Sequence, residues 1–331
     1  MKNLTAEEKA FYDKKFYFSY SSIYKLIFSP RLFYNHYVLR LREDVMDQHL
    51  LQGKLIHCLF LEPEKFKESY TLMPSKFPGD NVRKLINVTY NHWLKRKDNE
   101  SLTLQDFEKE ILDTLLLMNL HQKLKEDEAK LKKVITSESI SYFEYLKQAK
   151  DKTVVDLKTY DHCEKIVNEL KNHEIVKNLF MKDMPEDKTK DIYNELELIS
   201  DLKEENFGFK GIIDNLVVDH TTKRIFINDL KTTSKAIQDF PESVEFYKYW
   251  IQAVIYKKLV ENFVKDSKNY EIFFTFTVID KYGLIYPYQV SKETLTQWEK
   301  DFDTIMEKVS YHYNENQYTL PYELAKNIVK L

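Results

Sequence analysis

The chain has 331 residues, enough for two domains or one decorated domain at about 150 residues per domain, and its 43% hydrophobic and 14% aromatic content can fill a sizeable core. Its formal charge is −3, from 50 basic and 53 acidic residues, which excludes a protein that coats nucleic acid over its whole surface but leaves room for a local basic face. Five glycines (Gly53, Gly79, Gly208, Gly211 and Gly283) compose neither G-x-G-x-x-G nor G-x-x-x-x-G-K-[ST], and two cysteines (Cys58 and Cys163) compose no disulfide framework, all-cysteine zinc site or four-cysteine iron–sulfur cluster.

The first residues, MKNLTAEEKAFYDKK, lack the apolar stretch of a signal peptide, and no run of about 18 apolar residues occurs. A soluble, cytoplasmic protein without a membrane partner is expected, in a reducing compartment. From Phe16 to about Phe66 the pattern is helical, with Ser19, Ser21 and Ser22 as candidate N-caps and Pro30 as a first-turn residue. A second helix is predicted through QHLLQGKLIHCLFLE, stopping near Pro63. Residues 76–185 are charge-rich with long amphipathic patterns and read as a helical insertion or subdomain, between a region 1–75 and a region 186–331.

After Pro185 the texture changes. YNELELIS, FGFKGIIDNLVVD and RIFINDLKT are short β-branched or aromatic runs separated by turn-prone segments, and they predict three strands in a meander. A helix is predicted over VEFYKYWIQAVIYKKLVENF, then strands in YEIFFTFTVID and LIYPYQVS, then a last helix from about Lys292 to Tyr313. Counted from the QHLLQGKLIHCLFLE helix, the order is helix, three strands, helix, strand.

Asp214 and the triplet Asp229-Leu230-Lys231 carry the chemistry. Side chains alternate along a strand, so Asp229 and Lys231 share one face and Leu230 takes the other. If the strand of Asp214 pairs with that of Asp229, two carboxylates and an ammonium converge. Two hard oxygen donors and a backbone carbonyl suit Mg²⁺ or Mn²⁺. An isolated Asp-x-Lys is far more often a solvated or salt-bridged surface pair than an active site, but both carboxylates sit inside apolar runs, where an unpaired charge would be costly.

The pattern G-I-I-D followed by D-L-K resembles the PD-(D/E)XK nuclease signature, and the element order resembles the core of that superfamily, an α/β (α+β) fold with a central mixed sheet flanked by helices. SYSSIYKLIFSPRLFYNHY at 19–37, GKLIHCLFLEPEKF at 53–66 and QAVIY at 252–256 resemble the RecB-like branch, especially RecE-type exonucleases (exodeoxyribonuclease VIII). The resemblance implies metal ligation by His57, Asp214, Asp229 and the Leu230 carbonyl, with Glu195 as a further carboxylate and Glu197 as an alternative on the same strand face. It implies that Lys231 activates water, and that Gln252 and Tyr256, one helical turn apart, touch DNA or support the lysine. Taken alone, His57 reads more often as a satisfied core histidine, and Tyr256 as a buried aromatic with Gln252 a solvated helix residue. Ile213 stands where the motif has proline, and Ser29 precedes Pro30 where iron–sulfur relatives have cysteine, so no iron–sulfur cluster is expected.

Between Lys14 and Arg42 there is no Asp or Glu, and Lys14, Lys15, Lys25, Arg31, Arg40 and Arg42 are interleaved with nine Phe or Tyr residues. Basic groups neutralise phosphates and aromatics stack on exposed bases, so Lys25 and Arg31 are candidate DNA contacts. The resemblance implies a Mg²⁺-dependent 5′ to 3′ exonuclease on linear duplex DNA, active in phage recombination or repair, assembled as a homo-oligomer and serving a single-strand annealing protein. The alternatives are an endonuclease acting on branched, circular or foreign DNA, and a non-catalytic DNA-binding scaffold.

Overall fold

The computed structural model describes residues 4–41, 48–181, 187–203 and 205–326; Arg42 and Pro185 lie outside them. The chain forms two units, Met1–Leu61 with Ile166–Leu331, and Glu62–Lys165. No helix among the described residues is long and apolar enough to cross a membrane.

A six-stranded mixed sheet organises the first unit. Its strands are β1 (Phe16–Phe18), β2 (Lys190–Asp201), β3 (Phe207–Asp219), β4 (Arg224–Thr232), β5 (Glu271–Ile279) and β6 (Ile285–Val290). β2, β3 and β4 form the expected antiparallel meander. β5 then joins β4 in parallel, which requires a crossover, and β6 returns antiparallel. The principal helices of this unit are α1 (Tyr20–Phe28), α2 (Gln48–Leu61), α3 (Tyr249–Phe263) and α4 (Lys292–Asn314). Thus α2, β2–β4, α3 and β5 reproduce the order helix, three strands, helix, strand.

Helix α3 supplies the crossover, and Ile251, Val254, Ile255 and Leu259 on it are buried in one core with Ile213, Ile225, Ile227, Phe274 and Phe276 of the strands. Burial of each such side chain is worth about 1.5–3 kcal/mol, so α3 is anchored firmly enough to present polar groups at fixed positions. Ser19 caps α1 through a reciprocal bond with Ser22, and Ser29 caps the short helix that Pro30 opens.

Two local expectations are corrected. Phe16–Phe18 is a strand rather than helix: it pairs in parallel with Phe207–Phe209, an interaction that no three-residue window can reveal. The helix expected across 244–263 breaks at Lys248, whose φ of 57° is left-handed, separating Phe240–Phe246 from α3. The break leaves the Tyr247 carbonyl free of a helical partner, and it accepts a hydrogen bond from the Tyr20 hydroxyl.

The second unit packs helices Asp80–Leu94, Glu108–Leu117, Asp127–Val134 and Ser137–Ala149 around Leu85, Ile86, Phe107, Ile111 and Phe143. Within this unit, Glu62–Lys165, Tyr70–Leu72 pairs in parallel with Thr153–Val155 and ties the segment preceding the helices to it.

Candidate active site

Three acidic residues come together because three strands share one register. Asn194 pairs with Asn215 and Leu196 with Ile213, which sets Glu195 opposite Asp214. The β3–β4 ladder ends at Asn215 and Asn228, so the next residues in register are Asp214 and Asp229. Asp229 is fully buried and Asp214 nearly so.

Helix α2 brings His57 to the same place. A Cβ on Gly53 would lie 3.1 Å from the Thr232 hydroxyl, so the absence of a side chain lets α2 settle closely on the end of β4. His57 Nε2 lies 2.9 Å from the Leu230 carbonyl, and the Leu230 amide donates to Asp214 Oδ2 at 2.7 Å. Nδ1 of the same ring faces Glu195 Oε1 at 3.5 Å and Asp214 Oδ2 at 3.7 Å. One backbone residue is thus held from both sides by groups of the site.

The electrostatics follow from burial opposed by pairing. Burial alone would lower the His57 pKa, but Asp214 and Glu195 outweigh it and raise it to about 9. Burial raises the Asp214 pKa against the pull of His57 and Lys231. The same cause raises Asp229 to about 6, opposed by Lys231 and reinforced by Asp214. For Lys231 burial works downward, yet Asp229 and Asp214 prevail and the ammonium is favoured.

Ligand atoms of His57, Glu195 and Asp214 all lie within 4.8 Å of one another. Two carboxylates and an imidazole, partly withdrawn from water and mutually repelling through the acids, have the donor chemistry of a divalent cation site. Asp229 stands beside this trio. Lys231 Nζ approaches its Oδ2 at 2.5 Å, and Gln252 Nε2 donates to its Oδ1 at 2.8 Å. The Leu230 carbonyl faces His57. Glu197 is exposed and is not in the trio.

Gln252 and Tyr256 are both buried, so neither lies on an open DNA-facing surface; Gln252 instead orients Asp229, and the Tyr256 ring packs where a Cβ on Gly211 would fall. Lys25 Nζ lies 5.7 Å from the Tyr37 ring centre and the Arg31 guanidinium 5.5 Å from that of Tyr34. A separate cleft lined by Tyr12, Lys14, Lys15, Glu205 and Tyr313 shares no residue with this centre.

Sequence reasoning missed an asparagine ladder. Asn228 Nδ2 donates to Asn215 Oδ1 at 2.8 Å, and Asn215 Nδ2 to Asn194 Oδ1 at 2.9 Å. Asn228 and Asn215 also donate to the Leu179 and Phe180 carbonyls at 2.9 and 3.1 Å. Each asparagine is the chain neighbour of one acid: Asn194-Glu195, Asp214-Asn215 and Asn228-Asp229. The available signal was an amide inside each apolar run, since a buried amide needs partners.

A mixed sheet that gathers carboxylates and a lysine around one small volume, with an imidazole added from a flanking helix, has the donor set and the cation that metal-assisted phosphodiester hydrolysis uses. The chain belongs to the PD-(D/E)XK nuclease superfamily, whose family model matches residues 17–319. Nucleases of this superfamily act on DNA and use divalent metals. Among solved structures, the chain is similar to a provisionally assigned exonuclease from Eubacterium rectale at 14% identity and a TM-score of 0.49, covering 100% of this chain and 96% of that one. It is also similar to SSO0001 at 14% identity and a TM-score of 0.24, covering 70% of this chain and 98% of that one. Among curated proteins no match is found.

Proposed function

We propose that this protein is a Mg²⁺- or Mn²⁺-dependent deoxyribonuclease that degrades linear duplex DNA from an end, 5′ to 3′, and supplies single strands for annealing in recombination or repair. The observation that carries the reading is the His57, Glu195 and Asp214 trio placed beside the Asp229–Lys231 pair. End-directed action, polarity and a homo-oligomeric state rest on the resemblance of 19–37, 53–66 and 252–256 to RecE-type enzymes.

His57, Glu195 and Asp214 would hold the ion, with Asp229 and the Leu230 carbonyl within reach on the next strand. A divalent ion bound there lowers the pKa of a water and offsets charge on the phosphate. In the metal-free site Asp229 and Asp214 favour the charged form of Lys231. As a cation it would point N–H donors at the attacking water and the phosphate oxygens. Gln252 fixes Asp229 so that the Asp229–Lys231 geometry survives substrate entry.

Digestion of 5′-phosphorylated linear duplex, single strands and covalently closed circles with Mg²⁺ tests this. Loss of the linear duplex alone, abolished in Asp214→Ala, is the expected result. Cutting of closed circles would replace it with an endonuclease, and intact substrates in both Mg²⁺ and Mn²⁺ would leave a DNA-binding scaffold.

A further inference from the structure

A line of aromatic rings runs from the site lysine to the surface. Lys231 Nζ lies 5.1 Å from the Tyr249 ring centre, and Tyr249 lies 6.0 Å from Tyr20. Tyr20, Tyr24 and Phe28 follow at four-residue intervals on one face of α1, with ring centres 6.1 Å apart at each step and the last two rings within 16° of parallel. Exposure rises outward: Tyr20 and Tyr24 are half-buried, and Phe28 is 70% exposed. Packing explains Tyr20, which holds the Tyr247 carbonyl, but it does not explain Phe28.

Charge indicates what covers this face. Lys14 and Lys15 line the separate cleft and Lys15 is paired with Asp201 at 2.7 Å, whereas α1 carries one charged side chain, Lys25 next to Tyr24, and no acid. Such a surface complements a phosphate backbone. Phe246 is equally exposed at 69%, but exposed Glu242 and Glu245 precede it and would repel phosphate. Phe246 also reaches this line of rings, through Tyr247 at 4.9 Å and from there Tyr249 at 5.5 Å, so the two phenylalanines differ in the charge beside them and not in exposure.

We propose that Tyr24 and Phe28 form a stacking platform for unpaired bases of the DNA strand whose phosphate lies at Lys231. The platform deepens the nuclease reading, on which it rests, by giving the enzyme a preference for ends with unpaired nucleotides. Every base has a π-face, so the preference is independent of sequence.

The test uses the full chain in EDTA, where no cleavage occurs, and follows fluorescence anisotropy of an oligothymidylate of about 12 nucleotides and of a blunt duplex. Phe28→Ala is expected to weaken oligothymidylate binding by about fivefold or more, the lower end for one stacked base, with little change for the duplex. Phe28→Trp should retain wild-type binding, and Phe246→Ala should behave as wild type. An unchanged affinity in Phe28→Ala, an equal loss on both probes, or the same loss in Phe246→Ala would overturn the platform; unchanged thermal melting excludes misfolding. Because the readout is metal-free, an inactive wild-type protein with a Phe28-dependent single-strand affinity removes the nuclease reading alone. Cleavage without that dependence removes the platform alone.

Discussion

Glu195 and Asp214 face each other across β2 and β3 at the position where the pairing between those strands is interrupted, and Glu195 adopts a left-handed backbone with φ 47°. A non-glycine residue in that region carries strain of about 1–2 kcal/mol, and strained positions cluster where function over-determines them. The register is the same on both sides, so the distortion re-aims one side chain without shifting the strand.

That strain gives a direct comparison. Glu195→Gly is expected to melt above Glu195→Ala by the equivalent of about 1 kcal/mol in metal-free buffer, because glycine accepts the left-handed backbone. Both substitutions should weaken divalent-ion binding in titration calorimetry, because both remove the carboxylate. Equal melting temperatures would show that the left-handed backbone at Glu195 stores no strain.

Lys231 and Gln252 both contact Asp229 and should separate in kinetics. Lys231→Met is expected to reduce the cleavage rate by about 100-fold or more, as loss of a positioned charge at the reacting phosphate does. Gln252→Leu leaves the lysine in place and should lower the rate by a smaller factor. Single-turnover rates at saturating Mg²⁺ measure both.

The pH dependence follows from the raised pKa values. Metal must displace the proton that His57 holds up to about pH 9, so apparent affinity should rise with pH by as much as tenfold per unit below that value. The metal-free fold should behave oppositely. His57, raised from 6.5 to about 9, contributes stability that is fully present below pH 6.5 and is lost as pH rises through 9. Asp229, raised from 3.8 to about 6, loses its contribution as pH rises through 6. Melting temperature in EDTA should therefore fall from mildly acid to alkaline pH, and His57→Asn should flatten the upper part of that decline.

Asn215 bridges the two neighbouring strands, so Asn215→Leu removes donors from Asn194 and the Phe180 carbonyl and an acceptor from Asn228. Unsatisfied buried polar groups cost about 1–3 kcal/mol each, and chemical denaturation should show a loss in that range. Cleavage should fall further than DNA binding, because Asp214 is the adjacent residue.

Two glycines should respond differently to alanine. At Gly208 a Cβ would lie 2.4 Å from the Ser200 carbonyl oxygen and 2.7 Å from the Tyr17 ring, whereas nothing lies within 4 Å at Gly79. Gly208→Ala should cost about 1–3 kcal/mol by overpacking against backbone, and Gly79→Ala should be close to neutral in thermal melting.

Strand alternation put Asp229 and Lys231 on one face from three letters of sequence, and apolar flanks marked Asp214 and Asp229 as buried. Helical spacing placed Gln252 above Tyr256. These features were legible because they depend on local periodicity, which the chain carries within a few residues. The opposition of Glu195 to Asp214, the asparagine ladder, and the pairing of Phe16–Phe18 with β3 depend on register between strands distant in the chain. So do the limits of the Glu62–Lys165 unit, drawn by pairing across about 80 residues. Register is selected by the whole buried sheet, since a shift of one residue turns every side chain to the other face. Composition and local pattern thus determined which residue types could do this chemistry, and tertiary packing decided which of them meet: Glu195 rather than Glu197, with Asp229 beside the trio of possible ligands and Lys231 held against it.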